Sequence, residues 1–323
     1  MADTRLQIVV GKGGVGKSTV AAALALERAA RGGRVLALEL GGSGGLARAL
    51  GVESSSNPVK TSQAAPPGEV YVASVDGQAA LSEYLALMVP VRRLLHGVTA
   101  SRFYKAFVSA APGLRELMAV GKVWYECQKT NDDGSPTWTT VIVEAGATGH
   151  SLRYLRMPEV AARTFASGLV HREAVRVGDM LRDPDYCRVH VVALPEQMPL
   201  SEASEVLVAL DEELGMEVGR LIVNRCRQAA PFGAEGLHRK LAALALSGPS
   251  SGLAAVLADL AARELSWLAI QQRGLERIER NSGCRVLKLP LLAVEEFGPA
   301  ELGRLAGVLA GEPGINDGGS TSP

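Results

Sequence analysis

Residues 11–19 read Gly11-Lys12-Gly13-Gly14-Val15-Gly16-Lys17-Ser18-Thr19. The run satisfies every fixed position of the pattern G-x-x-x-x-G-K-[ST], and no other feature constrains the fold of this chain as strongly. Such a loop works only between a strand and a helix, because its backbone N–H groups must face phosphate while a helix begins behind them. The flanks comply. Leu6-Gln7-Ile8-Val9-Val10 is a short apolar run suited to a buried parallel strand. Ser18 to Arg31 is rich in strong helix formers and stops at Gly32-Gly33. In that setting Lys17 is expected to meet the β and γ oxygens of a nucleotide and Ser18 to hold Mg²⁺. Gly11, Lys12, Gly13, Gly14, Val15, Gly16 and Thr19 complete the cradle.

The rest of the chain alternates strands and helices. Strands are expected at Arg34–Leu40, Glu69–Val75, Thr139–Glu144, Val189–Leu194, Arg220–Asn224 and Val286–Leu289. Helices are expected over Ser201–Leu214, about Gly252–Arg280, and Pro299–Ala310, the last with Pro at its start and Gly311 beyond its end. Residues 78–127 and 158–185 read as helical and unusually apolar, and are expected to form a helical subdomain inserted in the fold. Glu312–Pro323 is polar, rich in Gly and Ser, and expected to be disordered. The alternation implies an α/β fold: a doubly wound, mostly parallel sheet that binds its nucleotide at the carboxyl ends of the strands. The expected domain covers residues 1–311. The phosphate loop occurs once, so two active sites need two chains.

Composition narrows the class. The chain has 323 residues, 47% hydrophobic and 21% charged, with zero net charge. Neutrality gives no sign of a nucleic-acid partner, which usually demands a basic surplus. No apolar run reaches the ~18–20 residues of a membrane span. The short N-terminus leads straight into the first strand, so no signal peptide is expected. Cys127, Cys187, Cys226 and Cys284 are far apart in sequence and form no CxxC, which reads as reduced cytoplasmic thiols rather than a zinc site or disulfide framework.

After the fourth expected strand the chain reads Glu144-Ala145-Gly146-Ala147-Thr148-Gly149-His150-Ser151-Leu152-Arg153-Tyr154-Leu155-Arg156-Met157-Pro158. It resembles the switch II motif D-T-A-P-T-G-H-T-L-R-x-L-x-x-P of the arsenite-pump ATPase ArsA and of the ATPases that deliver tail-anchored membrane proteins. Pro112-Gly113-Leu114-Arg115-Glu116, Pro195-Glu196 with Glu202, Val223-Asn224-Arg225, and Pro290-Leu291-Leu292 with Glu296 and Gly298 resemble further family segments, in order. Lys12 resembles the signature lysine of the deviant Walker A class. The chain is most similar to bacterial ArsA-like ATPases encoded as pairs.

The resemblance implies a P-loop ATPase of the SIMIBI class that hydrolyses ATP with Mg²⁺. It implies a homodimer, or a heterodimer with a sister chain, across which Lys12 touches the partner's nucleotide. It implies that Asn224, Arg225 and Pro290 contact adenine, that Glu144 stands in for the family's Mg²⁺-shell Asp, and that Thr148, Gly149 and His150 form a switch. A strand-end turn remains open for Asn224, and packing or capping for His150. The family's water-polarising Asp aligns with Gly41, which has no group for that task. Glu39 either reaches Mg²⁺ or water, as a catalytic group beside Lys12 and Lys17, or is a charged strand end. The apolar helices, with Leu81, Tyr84, Leu85, Leu87, Met88, Leu94 and Leu95, either line a groove for a hydrophobic protein client or membrane partner, or are core. Two other functions stay open: a hydrolysis-poor regulatory subunit, and a partition or septum-type positioning ATPase.

Overall fold

The computed structural model describes residues 4–41, 43–77, 79–80, 113–228, 236, 239–240, 243 and 251–311. In chain order the elements are β1 (Leu6–Gly11), α1 (Lys17–Ala30), β2 (Arg34–Leu40), α2 (Gly45–Ala49), β3 (Val59–Lys60), β4 (Glu69–Val75), α3 (Leu114–Gln128) and β5 (Thr140–Ala147). They continue as α4 (Thr148–Thr164), α5 (Leu169–Arg182), β6 (Cys187–Ala193), α6 (Gln197–Val208), β7 (Val218–Cys226), α7 (Ser251–Asn281), β8 (Val286–Pro290) and α8 (Pro299–Ala310). The strands form one sheet in the order β3-β4-β2-β5-β1-β6-β7-β8. Every pairing is parallel except β3 with β4.

Period-two alternation divides the strand side chains between two helical layers. Val9, Val35 and Ala37 pack with α1, α2 and α8. Ile8, Val10, Leu36 and Leu38 pack with α3 to α7. Strands covered on both faces must be apolar throughout, and β1 is buried at all six positions. The chain leaves β1 for β2 on one side, while β6, the neighbour on the other side, leads to β7 and β8. A crevice therefore opens at the carboxyl end of β1, where the loop of residues 11–16 lies.

The doubly wound parallel sheet expected from the sequence is the observed fold. Details differ. The expected helix over 158–185 is two helices, α4 and α5, and α4 begins ten residues earlier, directly at the end of β5. Helix α6 starts at Gln197, ahead of the expected Ser201, and ends in a π turn at Ala209–Glu213. The short β3 and α2 carry no sequence signal. Within the stretch expected to form the helical subdomain, residue 78 and residues 81–112, which include the groove candidates Leu81 to Leu95, lie outside the described residues. The described helices α3 and α5 bury Val120, Val123, Val177 and Leu181 in the core under the sheet.

Candidate functional site

Close packing forces glycine into the loop. Gly11 ends β1 at φ 151°, and a Cβ there would lie 2.3 Å from the Val192 carbonyl oxygen on β6. Gly16 holds φ 92°, and a Cβ there would lie 2.3 Å from Asn224 Nδ2. Helix α1 follows with no side-chain cap and no acidic residue in its first turn. Its leading N–H groups and positive dipole end face the crevice, an arrangement suited to an anion. Lys17 is buried at the same place, and its Nζ donates to the Lys12 carbonyl oxygen at 3.0 Å. Burial lowers the Lys17 pKa, and the charge of Glu144 opposes that shift.

Strand register brings the carboxylates together. Glu144 on β5 lies beside Val9 of β1 and beside Glu39 of β2. Ser18 Oγ donates to Glu144 Oε1 at 2.8 Å. Glu144 Oε2 is buried with no hydrogen-bond partner among the described residues. Burial pushes the Glu144 pKa up to about 7; Ser18 and Lys17 pull it down, and Glu39 pushes it up. A hydroxyl and a carboxylate whose second oxygen is orphaned form a hard-oxygen donor set, so these residues fit Mg²⁺.

Glu39 has a role that neither sequence reading included. Its Oε1 accepts from Ser43 Oγ at 2.6 Å and from the Gly45 N–H at 3.3 Å, and its Oε2 accepts from the Leu46 N–H at 3.2 Å. Both oxygens therefore anchor the start of α2. A negative charge is favourable there because the first helical N–H groups lack intrahelical partners. Gly45 brings that start against the loop helix: a Cβ on it would lie 2.6 Å from Ser18 Oγ.

Lys12 is held within its own chain, where Nζ forms an ion pair with Glu202 of α6. Asn224, at the end of β7, donates through Nδ2 to the Val15 carbonyl oxygen at 2.9 Å, and its Oδ1 accepts from the Arg225 N–H at 2.9 Å. It braces the phosphate loop from behind. Arg225 is exposed in the left-handed region at φ 55°. Pro290 ends β8 opposite Cys226. Beside them, at the carboxyl ends of β6 to β8, lies a cavity of about 300 Å³ lined by Leu194, Pro195, Arg225, Trp267 and Leu291 among others. Thr148, Gly149 and His150 form the first residues of α4. Among the described residues no cluster of His, Cys, Asp and Glu suited to a metal is found, and no helix is long and apolar enough to cross a membrane.

Sheet and loop thus give Lys17, Ser18, Glu144, Glu39 and Asn224 one shared centre. Gly45, Glu202 and Trp267 also belong to this region. Sequence reasoning did not single out Gly45 or Trp267 and drew no contact for Glu202, because each depends on a long-range neighbour that no local pattern encodes.

A glycine loop that joins the central strand of a doubly wound parallel sheet to a buried helix defines the P-loop nucleotide hydrolase class. Residues 4–176 match the family described as anion-transporting ATPase, and the chain belongs to this ArsA family. It is 31% identical to ATPase BagA of Mycobacterium tuberculosis over 229 residues, which cover 70% of this chain and 66% of BagA, just under two thirds of that protein. It is 29% identical to ATPase get3 of Schizosaccharomyces japonicus over 175 residues, covering 53% of this chain and 50% of the relative. A Halobacterium salinarum protein named for arsenical pump driving is 25% identical over 240 residues, covering 69% of this chain and 35% of its own length.

Proposed function

We propose that this chain binds ATP with Mg²⁺ and hydrolyses it to ADP and phosphate as a nucleotide-gated switch in the cytoplasm. The observation that carries the reading is the Ser18–Glu144 contact, with its orphaned Glu144 oxygen, at the uncapped start of α1 beside Lys17. The loop N–H groups bind the phosphates. Lys17 lies against charge that grows on the β–γ bridge as the terminal phosphoryl leaves, and it needs no reorganisation to do so. Ser18 and Glu144 would hold Mg²⁺, which would supply charge neutralisation at the phosphates. Asn224 keeps the loop in shape, and Glu39 keeps the following loop against Ser18. Arg225, Pro290 and the cavity beside them offer a place for the base.

The reading includes a dimer, with a second copy or a sister chain. Lys12 supports it. The residue is partly exposed on the loop and is held by one surface ion pair to Glu202, which costs little to exchange for a partner's phosphate. A partner or hydrophobic protein client is supported by exposed Leu253, Val256, Leu260 and Trp267 along α7. One observation favours a second reading, a hydrolysis-poor regulatory subunit: Gly41 carries no side chain, and Glu39 is committed to α2.

Steady-state ATP hydrolysis by the purified chain and by Lys17→Ala separates these readings. The account expects turnover that falls by roughly 100- to 1,000-fold in the variant. Tight ATP binding with no turnover above the Lys17→Ala blank contradicts the enzyme reading and supports the regulatory one.

A further inference from the structure

Hydrolysis requires a group that orients the attacking water, and the carboxylates around this site are engaged in other contacts. Glu39 anchors α2 through both oxygens. Glu144 is bonded to Ser18 and belongs to the cation site. Asp76, which follows β4, accepts from the Ala79 N–H at 2.9 Å. Gly41, the first residue after β2, has no side chain and holds φ 85°. Its N–H still donates to the Val75 carbonyl oxygen at 3.2 Å, so its place at the carboxyl end of the sheet is set.

One side chain stands over that place. A Cβ built on Gly41 would lie 3.7 Å from the hydroxyl of Tyr154, and among the described residues, chain neighbours aside, no other atom lies within 4 Å of it. The hydroxyl lies in the space that a carboxylate carried at position 41 would sweep. Tyr154 projects from α4, the helix that begins directly after β5 and its Glu144. Its ring is half-buried against the core that contains Leu40, Val75 and Leu155, which fixes its direction. Among the described residues the hydroxyl has no hydrogen-bond partner. Burial, then the charges of Glu116 and Asp76, raise its pKa, so at neutral pH it is a phenol that both donates and accepts.

We infer that Tyr154 supplies the water-orienting group that Gly41 lacks, acting as a positioning residue on the nucleophile. The inference rests on the ATPase reading above. In the step, the water oxygen bonds to the γ-phosphorus while the bond from that phosphorus to the β–γ bridging oxygen breaks. The bonding pair stays with ADP and the water's proton passes to a phosphate oxygen. Tyr154 accepts a hydrogen bond from the water and keeps its own proton.

The test compares the full chain, Lys17→Ala, Tyr154→Phe and the double variant Tyr154→Phe/Gly41→Asp. It measures kcat, KM, binding of a fluorescent ATP analogue, and the unfolding midpoint. Phe keeps the ring and its packing. The expected result for Tyr154→Phe is a kcat lowered roughly 10- to 100-fold, with KM, analogue affinity and midpoint unchanged. Gly41→Asp restores turnover in the double variant, since Asp is among the residues that best tolerate positive φ. Wild-type kcat in Tyr154→Phe overturns the inference and leaves the ATPase reading intact. A lowered kcat that tracks a lowered midpoint and is not rescued by Gly41→Asp assigns Tyr154 to packing, and also overturns it. Absence of wild-type turnover above the Lys17→Ala blank overturns both.

Discussion

The sheet carries buried charge at both ends, and the two ends follow opposite rules. Near the amino ends of the strands lie Glu27 and Arg28 of α1, Gln7 of β1, His190 of β6 and Arg220 of β7, all buried. They neutralise or bond one another. Glu27 pairs with Arg31, and with Arg28 Nε at 3.1 Å. Arg220 Nη1 donates to the Leu309 carbonyl oxygen at 3.1 Å. With the Gln7 amide nitrogen donating to His190 Nε2 at 3.2 Å, its oxygen accepts from Arg28 Nε at 3.0 Å and Nη2 at 3.1 Å. At the carboxyl ends, Lys17 and Glu144 are equally buried but face a glycine loop, and Glu144 Oε2 is left without a partner. Unpartnered buried atoms occur at both ends, since both Glu27 oxygens, Arg220 Nε and His190 Nδ1 also find no hydrogen-bond partner among the described residues. What differs is the surroundings: the amino-end charges face one another as ion pairs, whereas those at the carboxyl end face a crevice with a glycine loop and an uncapped helix start, which suits a ligand. Burial alone does not separate the two ends.

That comparison breaks most visibly at Glu27. Glu27→Ala leaves Arg28, Arg31 and Arg220 without their carboxylate, and we expect about 3–5 kcal/mol of lost stability in urea unfolding. ATP affinity of the remaining folded fraction should not change. An unchanged midpoint would mean that the guanidinium groups find solvent or other partners, and that these ion pairs are not structural.

Acid should act on the same end. Burial first, then the neighbouring Arg220 and Arg28 charges, hold the His190 pKa down at about 3, whereas an unfolded histidine titrates near 6.5. Between those values the unfolded chain binds a proton that the folded chain refuses, so protons favour unfolding. This contribution is fully present above about pH 6.5 and is lost as pH falls toward about 3, with a limiting slope of about 1.4 kcal/mol per pH unit. His190→Gln should flatten the pH dependence of unfolding between pH 6 and pH 4. A slope equal to that of wild type would place the acid sensitivity elsewhere.

The smallest effect is expected at Glu202→Gln, which releases Lys12 from a half-exposed ion pair worth at most about 1 kcal/mol. Stability should stay within that margin. ATP-dependent self-association, read by sedimentation, should strengthen by no more than about thirtyfold, the same energy counted once for each of the two chains and expressed as an equilibrium constant. Weaker association would mean that Glu202 belongs to the interface rather than competing with it.

Much of this architecture is legible in the sequence. Apolar runs bounded by Gly and Pro mark β2, β4 and α8 at their observed residues, because burial on both faces writes continuous hydrophobicity into a strand and Pro299 and Gly311 punctuate the last helix. The phosphate loop is legible for the same local reason: its glycines and lysine are consecutive. What sequence does not show is which distant group satisfies which. Helix α2 is five residues long, and its start is held by Glu39 from the preceding strand, so neither its length nor a capping residue announces it. Asn224 meets Val15 and Lys12 meets Glu202 across about two hundred residues of chain. Tyr154 matters only because a glycine lies beneath it. These relations follow from sheet order, which brings β2, β5, β1, β6 and β7 side by side.

The central claim, that the open end of the sheet is an ATP site, is tested most directly by thermal unfolding with and without Mg²⁺ and ATP, in the native chain and in Lys17→Ala. A ligand that binds only the folded state at a hundredfold excess over its Kd adds about 2.7 kcal/mol. The account predicts a raised midpoint in the native chain and little or none in Lys17→Ala. It also predicts that Lys17→Ala without nucleotide unfolds no earlier than the native chain, since the substitution removes a desolvated ammonium. An equal shift in both proteins, or no shift in either, would contradict the claim.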